Sequence, residues 1–296
     1  MKKVYIALIA AVFLLLIFIL SFHSGKSEQL FLATTTSTYD SGLLEYLMPV
    51  FERKYNIKVN ILSRGTGESL EILKRGDADI VLVHSRPLEE IFVAEGYGVH
   101  RIGVMYNDFI IVGPKSDPAG ISGCKNATLA FARIAAQERS FVSRADHSGT
   151  HMLELRIWNE TEVRVRSPPW YIEAGAGMGT VLRMANEKRA YTLTDRGTWL
   201  SFSSQLQNLG VLVEKEEILL NPYSIILVNP DKYPNRNFKM ASLLGKFLVS
   251  DEGQKLIGSF KKENETLFTP MAREIDVANR LGYLNQREEL GWYSLI

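Results

Sequence analysis

A single cysteine, Cys124, stands in the whole sequence. That excludes an intrachain disulfide framework and any multi-cysteine zinc or iron–sulfur site, whatever the redox state of the compartment. A charge surplus is missing as well. Lys plus Arg number 34 against 33 Asp plus Glu, so no overall positive field announces a nucleic-acid partner, and any anion must be recognised locally. There is no low-complexity tract, no long internal repeat and no G-x-S-x-G nucleophile elbow. No cysteine follows the apolar N-terminal run, which removes lipoprotein attachment, and no clean A-x-A site follows it either.

What is present begins with that run. Met1, Lys2 and Lys3 precede an almost purely apolar stretch from Val4 to Leu20. Its length is at the short end for a spanning helix and slightly long for a signal-peptide core, and the lysines favour a cytoplasmic N-terminus with the remainder exported. Residues 4–22 are therefore expected to anchor the chain in the membrane uncleaved, with cleavage near Ser24 as the alternative, and residues 1–26 to form anchor and spacer. The expected location is extracytoplasmic, periplasmic or cell-surface. Asn-x-Thr sequons at Asn126, Asn159 and Asn264 would be usable there if the host glycosylates.

The chain has 296 residues, 46% of them hydrophobic, which is core material for one large domain or two smaller ones. Leu30–Ala33 reads as a strand, and Gly42–Tyr55 as a helix with Leu43, Leu47 and Val50 on one face. Ile57–Leu62 is again strand-like, Ser63–Gly67 a turn, Glu68–Arg75 a short helix, Ile80–Val83 a buried strand, and Pro87–Glu95 a helix stopped by Gly96. This alternation predicts an α/β fold with a parallel, doubly wound sheet. Phe109–Val112, ended by Gly113 and Pro114, is echoed by Ser224–Val228, ended by Asn229 and Pro230. The matched pair reads as two crossover strands. Residues 27–112 with 225–296 are then one discontinuous lobe, and 113–224 the other.

The chemistry concentrates at strand ends. Thr34–Thr38 reads TTTST between a strand and a helix. Backbone N–H groups at a helix start lack intrahelical partners, and hydroxyls donate beside them, which makes an anion cradle. One hydroxyl would satisfy ordinary capping; five exceed it. SRGTG, Ser63–Gly67, is a second such turn, whose glycines admit close backbone approach. Ser85, after the strand ending at His84, lies at a third carboxyl end, where ligands of open α/β sheets collect. In the second lobe, RADHSGT puts Arg144 ahead of Ser148, Gly149 and Thr150 at a helix start, and Arg196 follows the strand Tyr191–Thr194. An arginine is ordinarily a surface ion pair, but one placed after a strand can fork two donors onto adjacent oxygens.

Together with these turns, the segments TTTSTYDSGLL, SRGTGESLEILKRGDADIVLVHSR, EEIFVAEGYG, VMYNDFIIVGP, SGTHMLE and TLTDRGT resemble the tungstate-binding components of ABC transporters, the TupA-type family, over roughly Leu30 to Phe260. The resemblance implies a type II periplasmic-binding-protein fold, two α/β lobes closing on a ligand in the cleft, and an ABC permease as partner. It implies Thr35, Thr36, Ser37, Thr66, Ser85, Arg144, Ser148, Gly149, Thr150 and Arg196 as ligand contacts. Ala145 and His147 stand where more compact or acidic residues are expected of the family. Tungstate is the ligand this resemblance selects; molybdate, which shares its charge and nearly its size, is the alternative. No cofactor and no cation site are expected.

An extracytoplasmic α/β enzyme acting on an anionic substrate is the rival from another class. His147 and His151 have metal-binding spacing, but Ser148 and Gly149 interrupt the helix that would carry them. His147 beside Ser148 is adjacency, which makes no catalytic dyad. Gly175–Gly179 has the wrong spacing for a dinucleotide loop and reads as a ligand-side or packing turn. A regulator's effector domain would need a DNA-binding segment where this chain has an apolar one.

Overall fold

The computed structural model describes residues 28–146, 148–161, 163 and 168–296. The apolar run and its spacer, and His147, lie outside the described residues. Among the described residues, no helix is long and apolar enough to cross a membrane.

In chain order the described residues open with β1 (Glu28–Thr35), α1 (Thr36–Asp40), α2 (Leu43–Tyr55), β2 (Ile57–Arg64), α3 (Thr66–Lys74), β3 (Ile80–Val83), α4 (Arg86–Ala94) and β4 (Gly98–Pro114). The middle of the chain follows with α5 (Ala127–Ala136), β5 (Phe141–Ser143), α6 (Gly149–Glu160), β6 (Tyr171–Glu173), α7 (Met178–Lys188), β7 (Thr192–Asp195), α8 (Arg196–Phe202) and β8 (Leu209–Val213). The chain returns through β9 (Leu220–Val228) to α9 (Phe238–Val249), α10 (Asp251–Ser259), the short strands β10 (Lys261–Lys262), β11 (Glu265–Thr266) and β12 (Thr269–Pro270), and the helices α11 (Ile275–Arg280) and α12 (Gln286–Leu295).

Only part of the main sheet is parallel. β1 runs parallel to both β2 and β3, as the alternating pattern predicts. β9, however, pairs antiparallel with β3 and with β4, which corrects the expected all-parallel sheet to a mixed one. The reason is topological: β4 carries the chain away towards β7 and β8 and β9 carries it back, and adjacent outgoing and returning strands must run in opposite directions. β4 is 17 residues long. Its first part, to Asp108, pairs with β9 and β12, and from Phe109 onward it pairs with β7 and β8.

The cores follow from the sequence periodicities. All four residues of β3 are buried, as a strand covered on both faces requires. α2 buries Leu43, Leu44, Leu47, Met48 and Phe51 on one face. In the second lobe the Trp158 ring centroid lies 4.3 Å from Phe131 and 5.2 Å from Phe141, gathering α5, β5 and α6. Each such ring stabilises the lobe by about 2–3 kcal/mol through burial. Gly113 is required where β4 passes Tyr191, since a Cβ there would stand 2.4 Å from the ring. The tail is tied back to β4 by Gln286, whose side chain accepts from Gly103 N (2.9 Å) and donates to Gly103 O (2.8 Å) and Ala272 O (2.9 Å).

Candidate functional site

β3, β1 and β2 are neighbours in the sheet, so their carboxyl ends bring the three hydroxyl-bearing turns to one edge. The first turn differs in detail from the sequence expectation. β1 continues through Thr35, and residues 36–40 form a helical turn of their own before α2. Of its five hydroxyls, those of Thr34, Thr35 and Thr38 are buried and engaged within the protein. Thr34 Oγ1 donates to Leu82 O at 2.8 Å. Thr35 Oγ1 caps α1 by accepting from Thr38 N at 3.3 Å, and it lies 2.6 Å from Thr38 Oγ1. Thr36 and Ser37 are exposed, with Ser37 Oγ 3.2 Å from Thr35 Oγ1.

The second turn is bound to the first: Ser69 of α3 donates its hydroxyl to Thr34 O at 2.8 Å. Gly65 caps α3 without a side chain, Thr66 is its first residue, and the space where Gly65 and Gly67 would carry a Cβ is open. At the third turn Ser85 occupies the N-cap of α4, but its side chain makes no capping bond. Its backbone N–H donates instead to Glu89 Oε1 at 2.8 Å.

The start of α6 carries the next group of candidates. Ser148 caps it by accepting from His151 N at 3.4 Å. Arg144 reaches Asp146 Oδ2 through Nε at 3.0 Å and Nη2 at 2.5 Å, while Asp146 Oδ1 accepts from Ser148 N at 3.1 Å. Burial works to raise the Asp146 carboxyl, but the Ser148 and Arg144 donors outweigh it and hold it below the usual range. Thr150 is buried and Gly149 exposed. Gly149 faces the end of β3 directly: a Cβ on it would lie 3.9 Å from Cε1 of His84. The α6 start and the β3 end bearing His84 and Ser85 therefore oppose each other.

A polar network unnoticed in the sequence lies behind that meeting point. Asn107 of β4 and Asn221 of β9 are register partners, and Asn221 Nδ2 donates to Asn107 Oδ1 at 2.9 Å and to the Tyr223 hydroxyl at 3.1 Å. This orientation of the Asn221 amide leaves its oxygen to accept from His84 Nδ1 at 3.0 Å. Burial pushes the His84 pKa down, with Asn221 and Asp195 opposing it. The one available signal was the near-repetition of asparagine at the two crossing strands, in YNDF and LNPY.

Arg196 is placed differently from the other candidates. Its Nε and Nη2 grip the Asp108 carboxylate at 2.5 and 2.6 Å, and Nη2 also donates to Glu214 at 2.6 Å. Those bonds to Asp108 are the main reason its pKa is raised. It lines a cavity of about 790 Å³ with Tyr106, Trp199, Glu214 and Glu265. Ser37 lines a separate one, about 260 Å³, with Asp40, Asp195, Thr198 and Lys262. Asn107 borders both. The Asp195 carboxylate is engaged by its own helix, accepting from Thr198 N at 2.8 Å and Thr198 Oγ1 at 2.6 Å. The Gly175–Gly179 turn packs on the Arg144 loop, with Ala176 N donating to Arg144 O at 3.2 Å, and its Gly179 lines the Ser37 cavity.

The hydroxyl turns thus share one edge of the sheet, the α6 start meets that edge where Gly149 approaches His84, and the Asp146 and Asp195 carboxylates are engaged by internal donors, while Asp40 lines the Ser37 cavity. Comparison with known proteins identifies the family. The profile of the PBP superfamily domain matches residues 23–252. A putative ABC transporter anion-binding protein of Haloferax volcanii is 48% identical over 252 residues, 84% of this chain and 73% of that protein. The tungstate-binding protein TupA of Peptoclostridium acidaminophilum is 46% identical over 248 residues, 82% of this chain and 86% of that one. Among solved structures, the tungstate-binding protein TupA from Desulfovibrio alaskensis G20 superposes with a TM-score of 0.77 at 40% identity, covering 82% of this chain and 98% of the other. The chain thus belongs to the PBP superfamily and, within it, to the TupA-type family of tungstate-binding components of ABC transporters.

Proposed function

We propose that this protein captures tungstate in the cleft between its lobes and delivers it to an ABC importer, as a binding protein and not an enzyme. The observation that carries this reading is the opposition of Ser85 and its neighbouring hydroxyl turns to the α6 start, across the approach of His84 to Gly149. A tetrahedral dianion accepts from every side and donates nowhere, so a cradle of donors suits it. Monohydrogen phosphate would need an acceptor for its proton. Asp146 is held by Arg144 and Ser148, and Asp195 by Thr198, while Asp40 lines the Ser37 cavity; with Asp40 off the ligand the site favours fully deprotonated anions.

The proposed contacts are Thr36, Ser37, Thr66, Ser85, Arg144, Ser148, Gly149 and Thr150, with Thr35 shaping the first turn through its cap. Arg196 is better read as a strut between the lobes, because a ligand would have to displace two carboxylates to reach it. Residues 27–112 with 225–296, and 113–224, would close as two bodies about the crossing of β4 and β9. Outside the cytoplasm, the apolar run at residues 4–22 would keep the protein at the membrane beside its permease. The portion from residue 28 contains every described element of both lobes, so titration of it with tungstate, molybdate, sulfate and phosphate by calorimetry is the test. Tight binding of tungstate with weak or no binding of phosphate supports the reading. Equal preference for molybdate would widen the ligand assignment, and a folded protein that binds none of the four would refute it.

A further inference from the structure

Ser85 is an N-cap residue whose hydroxyl does not cap. Two neighbours account for this. A cap hydroxyl ordinarily accepts from the amide two or three residues on, and at the first of these positions α4 carries Pro87, which has no N–H, so that Leu88 N alone remains as a capping donor. The backbone of Ser85 is meanwhile fixed from another direction, by Glu89 one turn into the helix.

Glu89 is fully buried. Its Oε1 accepts from Ser85 N at 2.8 Å, and its Oε2 accepts from Arg101 Nε of β4 at 2.9 Å and from the Ser224 hydroxyl of β9 at 2.8 Å. Arg101 stands in turn over the Tyr283 ring, its guanidinium carbon 4.3 Å from the centroid. A buried carboxylate is an expensive way to stabilise a short helix, since desolvation of the charge must be offset by every donor it meets. Here the three donors come from the turn at Ser85 and from both strands that cross between the lobes.

We infer that Glu89 is a positioning residue for the oxyanion site: its carboxylate fixes the Ser85 backbone against β4 and β9 and so keeps the Ser85 hydroxyl for a ligand oxygen. The inference rests on the proposed role of Ser85. Glu89 itself stays out of ligand contact, and its charge is matched by Arg101, so it holds the turn without repelling the anion. Arg101 and Tyr283 complete the support from the opposite side.

The test is a double-mutant cycle on residues 28–296. Tungstate affinity is measured by competition calorimetry for the wild type, Glu89→Gln, Ser85→Ala and the double variant, with the thermal midpoint of each. Glu89→Gln is expected to weaken tungstate binding about tenfold, the scale of one misplaced hydrogen bond. In the Ser85→Ala background the same change should leave the affinity unaltered. If Glu89→Gln does not fold, Glu89→Met with Arg101→Met replaces the buried pair by apolar side chains of similar volume and should give the same loss, again only when Ser85 is present. Losses that multiply in the double variant, or a folded Glu89→Gln with wild-type affinity, overturn the inference. So does a Ser85→Ala variant that binds as tightly as the wild type. A wild type that binds none of the anions refutes the transport reading itself.

Discussion

Asn221 donates its side-chain amide to the carboxamide oxygen of Asn107 at 2.9 Å, joining the outgoing and returning strands where they cross between the lobes. The same amide sets the tautomer of His84, which must carry its proton on Nδ1 to donate to the Asn221 oxygen. Asn221→Ala removes partners from Asn107, Tyr223 and His84 at once. Stability should fall by about 1–3 kcal/mol, read as a lower midpoint in urea unfolding with an unchanged slope.

Arg144 is the one cation among the proposed ligand contacts. Its replacement by alanine should weaken tungstate binding roughly 10- to 100-fold, the worth of charge-assisted bonds to a dianion. Because Asp146 loses its counter-charge in the same variant, the loss should be larger at low salt than at high salt. Calorimetry at two ionic strengths reads both effects, and an affinity independent of residue 144 would remove it from the site.

Arg196 should behave in the opposite manner. With Asp108 left unpaired and Glu214 keeping only Lys215, Arg196→Met should cost about 3 kcal/mol of stability. Tungstate affinity, measured well below the unfolding temperature, should change only a few-fold. A large loss of affinity in a stable variant would return Arg196 to the list of ligand contacts.

Beneath the Arg144 loop lies Glu154, buried and accepting from Tyr171 Oη at 2.6 Å and Trp158 Nε1 at 3.2 Å. Burial outweighs these donors and pushes its carboxyl up to about 7. A carboxyl whose folded pKa lies above its unfolded value binds more protons in the folded state across that interval, so stability is greatest below it and falls as pH rises from about 4.5 towards 7. His84, whose pKa is lowered, acts in the opposite direction in wild type and variant alike, so the decline is read as the difference in urea midpoint between wild type and Glu154→Gln across pH 5 to 8. Parallel profiles of the two proteins would contradict the assignment.

Ala145 has φ +48°, a left-handed conformation that favours glycine. Ala145→Gly should therefore stabilise the protein by up to about 1 kcal/mol, seen as a higher thermal midpoint, without weakening tungstate binding. A lower midpoint would mean that the loop depends on the methyl group.

The strand ends could be read in the sequence because local chemistry marks them: five hydroxyls between a strand and a helix, or an apolar Ile80–Val83 whose bounds match β3. The first eleven residues of β4 were not read as strand. They mix Gly98, His100, Arg101 and Gly103 with apolar residues, and only pairing with β9 and β12 makes them extended. Strand direction was misread for the same reason, since a local pattern reveals a strand and not its partner. The Asn107–Asn221 pair joins positions 114 residues apart, a contact to which spacing along the chain offers no clue. Arg196 was legible as an arginine after a strand, but the carboxylates that grip it come from β4 and from the residue after β8.

Because one unbroken strand, β4, pairs with β9 in one sheet and with β7 in another, opening of the proposed cleft need not sever that strand's ladder. It can instead wind β4 about its own axis, as a torsion bar is wound. Resistance to that winding is then concentrated where the strand changes partners, at Asp108 and Phe109, beside the clamp of Arg196 and the asparagine pair. Those side chains would govern how far the jaws part and how fast a captured anion escapes, although none of them need touch it.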